Sequence, residues 1–190
     1  MKLNRCLLVA VALCVSVLHA QDRVQVQAPK TQIEAFDAQA GTVMIRGFSK
    51  VGEMKGVYGG ILTVQSIEFT DATTGKKEYG ISIDVKETDR LERTNRSFID
   101  FDEIPSFLKG IDYISKVDSS VTKLDNFQAD FRTKGDFKIS TFSSAKETMA
   151  SISSGSIGET SMFLKIGDVA RFRDFIASAK NTLDSLRAGK

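Results

Sequence analysis

Asp100, Asp102 and Glu103 form the densest acidic cluster in the sequence. Residues two apart on a strand face the same way, so Asp100 and Asp102 could hold a hard cation such as calcium or act as an acid–base pair. The competing reading makes them the solvent side of a strand whose Ile99 and Phe101 point inward, followed by a helix cap. A second stretch decides between the two. Phe163 to Phe172 repeats the apolar skeleton of Phe98 to Phe107 in ungapped register, with Phe98 on Phe163, Ile99 on Leu164, Ile104 on Val169 and Phe107 on Phe172. The acidic positions fall on Lys165, Gly167 and Asp168, which cannot share the chemistry. The cluster therefore reads as architecture, and no catalytic, cofactor-binding or metal-ligating residue is assigned.

Other candidate motifs fail for stated reasons. Ser154-Gly155-Ser156-Ile157-Gly158 has the outline of a nucleophile elbow, but Ser154 stands where glycine is required. Gly52, Gly56, Gly59 and Gly60 lack both the Gly-Lys-Ser/Thr ending of a phosphate loop and a dinucleotide spacing, so bulged or sharply twisted strands are expected. Arg90, Arg93 and Arg96 lie among Asp89 and Glu92, a mixture of signs that marks a solvated connection. Asn95-Arg96-Ser97 matches a glycan acceptor, which matters only in a eukaryotic secretory pathway.

The first twenty residues remove further chemistries. Lys2 and Arg5 precede an apolar run of 13 residues, Cys6 to Leu18, and Ala20 supplies a small residue for cleavage. The run is short of the roughly 20 residues needed to span a bilayer. The expectation is a signal peptide over 1–20 and a secreted or periplasmic mature chain without an integral membrane span. Both cysteines (Cys6, Cys14) and the single histidine (His19) lie inside that segment. The mature chain is thus expected to lack Ser-His-Asp and Cys-His pairs, thiolate–imidazole zinc sites and disulfides. Losing Lys2 and Arg5 leaves 24 basic residues against 24 acidic, with no electrostatic footprint for nucleic acid or an anionic membrane.

The elements that must position these residues follow from periodicity. Residues 21–31 are an extended lead-in; 32–118 form a first β-rich unit ending in a helix, and 121–188 a second, the two sharing one core. Thr31-Gln32-Ile33-Glu34 has the form of a capping box. A strand at 32–37 followed by a strand at 42–48 is nonetheless preferred, on the β-propensity of Val43-Met44-Ile45 and a turn at Gly41. Ile61 to Phe69 and Tyr79 to Val85 alternate as a hairpin, and an odd loop around Thr73-Thr74-Gly75 would put Phe69 and Tyr79 on one face. Thr133-Lys134-Gly135 would do the same for Phe131 and Ile139, again with glycine left-handed. Amphipathic helices are expected over about 104–117 and 168–187.

The fold class is α+β: a mainly antiparallel sheet, two helices and an internal duplication of a four-strand-plus-helix unit. Such units also occur in certain single-strand nucleic-acid-binding folds, but export and neutral charge argue against that use. No enzyme and no cofactor are expected. The leading function is an exported binding or accessory module acting on an unknown protein or hydrophobic ligand. The 13 phenylalanines motivate a carrier of lipid or another hydrophobic ligand as the alternative, and the acidic cluster motivates a carboxylate-based hydrolase as the second.

Overall fold

The computed structural model describes residues 28–88, 92–144 and 147–189. The expected signal segment over 1–20 and Arg90 lie outside the described residues. A short helix α1 (Gln32–Asp37) precedes strands β1 (Met44–Gly56), β2 (Gly59–Asp71), β3 (Lys77–Glu87) and β4 (Arg93–Asp100), then helix α2 (Ile104–Ile114). The order repeats in β5 (Gln128–Arg132), β6 (Phe137–Ser144), β7 (Glu147–Ser154), β8 (Thr160–Lys165) and helix α3 (Val169–Arg187). Each set of four strands is an antiparallel meander, β1-β2-β3-β4 and β5-β6-β7-β8. The fold is α+β, built on a unit that occurs twice.

The helices form where an apolar stripe has helical spacing. Ile104, Phe107, Ile111 and Ile114 line one side of α2, with Pro105 in the first turn, where it costs no hydrogen bond. Val169, Phe172, Ile176, Ala179 and Leu183 do the same for α3. Neither helix lies mainly on the sheet that precedes it. α2 packs on β5 and β6, α3 packs on β1, β2 and β3, and the two helices touch. Where they cross, Phe107 meets Phe172 with ring centroids 6.0 Å apart. Phe137 of β6 lies 5.5 Å from the first and 5.7 Å from the second. One buried cluster takes residues from both sheets and both helices.

The strand ladders put the two units in register. Ile99 pairs with Ile81, which pairs with Ser66; Leu164 pairs with Ala150, which pairs with Thr141. Ser66 thus corresponds to Thr141, and the bonds they make correspond too. The buried Ser66 hydroxyl donates to the Ala179 carbonyl of α3 at 3.4 Å, and the buried Thr141 hydroxyl to the Ile114 carbonyl of α2 at 2.9 Å. Between the sheets, the Thr160 hydroxyl donates to the Val85 carbonyl at 3.0 Å, and Asn95 Nδ2 to the Ser154 carbonyl at 3.1 Å. The hairpin tips match as well. A Cβ on Gly56 would press on the Phe163 carbonyl, and one on Gly135 would overlap the carbonyl of Phe98.

One such contact is reciprocal. Gly52 of β1 lies under the ring of Phe175 on α3, with no room for a Cβ; Phe131 of β5 lies over Gly110 of α2, equally closed. By the ladder register Gly52 corresponds to Phe131, and Gly110 to Phe175. Each strand–helix contact holds one glycine and one phenylalanine, but the residues have changed sides.

Several sequence expectations are corrected. Residues 32–37 are helical, because the capping box forms: the Glu34 N–H donates to Thr31 Oγ1, and the Thr31 N–H to Glu34 Oε2. Six residues do not sustain a helix alone; Ile33 and Phe36 hold this one against Ile67 and Phe69. In the β2–β3 hairpin Tyr79 pairs with Glu68 and Phe69 with Glu78, so the loop is even and Phe69 and Tyr79 lie on opposite faces. Gly75 is left-handed there, at φ 71°. Phe69 and Tyr79 part because both faces of β2 bury apolar residues: Leu62 and Val64 lie in the main core, Ile67 and Phe69 in the small cluster with α1. In the β5–β6 hairpin Phe131 does pair with Ile139, but the left-handed residue is Asp136, and Gly135 is needed for closeness to β4. The β2–β3 and β5–β6 hairpins are not counterparts; that of β5–β6 is β1–β2. Arg93 and Arg96 lie on β4, not in a loop, α2 ends at Ile114, before Val117, and Leu186 is exposed.

The exchanged hydroxyl bonds yield an expectation. Thr141→Val keeps the side chain's shape and removes the bond to α2, which lowers unfolding stability by about 1–3 kcal/mol in a denaturant titration.

Candidate functional site

The acidic cluster is divided among three structural tasks. Asp100 is buried and both its oxygens are taken, Oδ2 by the Gln32 N–H at 2.9 Å and Oδ1 by the Ile33 N–H at 3.2 Å. It caps α1, because the first N–H groups of a helix have no partner within the helix. Asp102 is exposed, accepts from Gln32 Nε2 at 3.3 Å and lies 3.9 Å from Lys134 Nζ. Glu103 Oε1 accepts the Lys134 N–H at 3.0 Å, while its buried Oε2 has no partner among the described residues. Burial pushes the Glu103 carboxyl above its ordinary value of 4.5, and the neighbouring Asp100 and Asp102 add to the rise. Among the described residues no cluster of acidic or imidazole side chains has the makings of a metal site.

The remaining motifs are also occupied. Ser154 Oγ is buried 2.7 Å from Ser97 Oγ, joining β7 to β4. Asn95 Nδ2, the glycan acceptor of the sequence motif, donates to the carbonyls of both Ser154 and Gly158, so a glycan there would disrupt the contact between sheets. Arg93 pairs with Glu87, and Arg96 makes a two-bond pair with Asp84 that raises its already high pKa. Gly52 and Gly56 sit at register shifts of the β1–β2 ladder, as the bulged-strand reading expects.

What stays uncommitted is a surface that carries none of these motifs. β1 is the edge of its sheet, and every residue from Ile45 to Lys50 is exposed. Among them Phe48 is 71 % exposed and Ile45 55 %, with Val43 just before the strand at 67 %. The ladder puts Phe48 on the outer face beside Ile67, and Ile45 on the inner face, toward the end of α3. On the outer face Phe48, Ile67, Phe69 and Phe98 line a depression of about 140 Å³ with Gln65 and Ser82. Its two guanidinium groups are neutralised: Arg46 forks onto Asp37 at 2.6 and 2.7 Å and lies 5.6 Å over the Phe69 ring. On the inner side a second depression of about 220 Å³ runs between Ser49, Ser66, Thr182 and the half-exposed Leu186.

The duplicate strand serves as an internal control. In the ladder register Phe48 corresponds to Gln128. The β5 edge is polar, with Gln128 Nε2 donating to Asp130 at 3.0 Å, and β5 has only five residues. Edge strands are ordinarily blunted by charge or shortness. β5 follows that rule throughout; β1 carries Arg46 and Lys50 but leaves Ile45 and Phe48 exposed between them. The sequence did carry a signal: Val43, Met44, Ile45 and Phe48 put apolar residues on both faces of one strand, where a half-buried strand would alternate.

Glu103 gives a pH expectation. A carboxyl whose pKa is raised by folding contributes stability below its unfolded pKa and loses that contribution as pH rises through the folded value. Glu103→Gln is therefore more heat-stable than the parent at pH 7, and the gap closes below about pH 4. Melting curves across that range check it.

Comparison of the chain with protein-family models, with curated proteins and with solved structures returns no match.

Proposed function

We propose that this chain is an exported, non-enzymatic binding or accessory module that engages a protein partner through the β1 edge and the phenylalanine-lined outer face of its first sheet. One observation carries the reading: an unpaired edge strand exposes Ile45 and Phe48 on opposite faces, and the repeated strand has Gln128 where the first has Phe48. Exposed apolar patches of this kind mark interaction sites. Export rests on the basic start, apolar run and Ala20 of the first twenty residues.

The carrier alternative has less support. Phe107, Phe137 and Phe172 fill the space between helices and second sheet and are fully buried. Both depressions beside β1 are shallow clefts smaller than the roughly 300 Å³ at which small-molecule sites begin. The hydrolase alternative has less still, since Asp100 spends both oxygens on backbone N–H groups.

Native mass spectrometry of protein taken from its own host's envelope or medium tests the reading. The expected spectrum holds only polypeptide masses, in assemblies that Phe48→Ser disrupts. A lipid-sized adduct retained by both the parent and Phe48→Ser would overturn it in favour of a carrier.

A further inference from the structure

We infer that the partner covering the β1 edge is a second copy of this chain, paired antiparallel from Met44 to Lys50 about a two-fold axis through Gly47. This deepens the binding-module reading and rests on it. The edge offers a row of backbone donors and acceptors on its open side, the template for adding a strand. The usable length is set by the chain, because the ladder shifts between Lys50 and Gly52 and the strand bends away there.

The side chains select the register. An axis normal to the sheet keeps the two outer faces on one side and requires a centre on a residue. Centred on Gly47, the pairing sets Arg46 opposite Phe48, Ile45 opposite Ser49 and Met44 opposite Lys50. No charge meets a like charge, and each Arg46, already balanced by Asp37, lies against an aromatic ring of the other copy. Moving the centre to Arg46 stacks arginine on arginine; moving it to Phe48 sets Arg46 opposite Lys50. Both placements oppose like charges, which destabilises a strand pair. The inner faces meet as well, since Ile45 lies on the side of the exposed Leu186 at the end of α3. Gly47 at the axis has ordinary clearance, its nearest neighbours to an added Cβ being the Glu68 carbonyl oxygen at 3.8 Å and Glu68 Cβ at 3.9 Å. The pairing joins two four-stranded sheets into one of eight strands across an isologous interface.

Sedimentation equilibrium of the full chain, together with a cysteine series in a Cys6→Ser/Cys14→Ser background, tests this. The parent sediments as a reversible dimer. Phe48→Lys, which places lysine opposite Arg46, raises the dissociation constant at least about tenfold while the melting curve of the protomer stays cooperative. Gly47→Cys forms a disulfide-linked dimer under mild oxidation, because paired residues on the axis lie within reach of a disulfide. Ser49→Cys, opposite Ile45, does not. A parent that stays monomeric at every concentration overturns the proposal, as does a dimer unaffected by Phe48→Lys. If the parent is monomeric alone yet Phe48→Ser still loses a polypeptide partner from the host, self-pairing is wrong and the binding-module reading survives.

Discussion

Everything in this molecule depends on two helices lying across from where the chain made them. A four-stranded antiparallel meander has one apolar face to cover, and a single helix of 11 or 19 residues can cover it. Here each unit's helix packs mainly on the other's sheet, and one buried cluster takes residues from both sheets and both helices. The pairings Ser66–Ala179 and Thr141–Ile114, each a sheet hydroxyl on a helix carbonyl, fix the two helices at equivalent heights. The ring contact of Phe107 and Phe172 closes the crossing.

A repeated unit with crossed helices leaves room for asymmetry, and the chain uses it. Gly52 faces Phe175 while Phe131 faces Gly110, so the two contacts fill similar volumes with the large side chain on opposite elements. A helix placed on its own unit's sheet would bring Gly52 to Gly110 and Phe131 to Phe175: a void in one place and an overlap in the other. Both are destabilising, by about 1–3 kcal/mol for overpacking alone. The same logic governs the outer surfaces. The second unit keeps a short polar edge, and the first keeps a long edge that exposes Ile45 and Phe48 among its charges.

Periodicity made much of this legible. The stripes of α2 and α3, the alternation of the strands and the shared skeleton of Phe98–Phe107 and Phe163–Phe172 are local patterns, and local patterns survive in sequence. What was missed was decided at a distance. The capping box at Thr31 is local and legible, but six residues stay helical only with Asp100 of β4 capping them and Ile67 and Phe69 packed beneath, and those come from a distance. The face of β2 depends on α1 burying Ile67 and Phe69 on the side away from the main core. The Gly75 and Gly135 hairpins resemble each other in holding glycine, but the spatial counterpart of Lys134-Gly135 is Lys55-Gly56. That correspondence was masked because the first unit has longer strands, 13 and 11 residues in β2 and β3 against 8 and 8 in β6 and β7. The exposed β1 edge leaves little motif to read, because Phe48 has no reactive group and offers only its surface.

A double-mutant cycle between Gly110 and Phe131 tests the exchange of helices most directly. Gly110→Phe and Phe131→Gly, each alone, lower unfolding stability, the first by overlap and the second by a void. Together they recreate the arrangement that Gly52 and Phe175 already show, and the account predicts a favourable coupling of about 1–3 kcal/mol, well beyond the scatter of independent sites. Losses that simply add would mean that α2 does not rest on β5, and would contradict it.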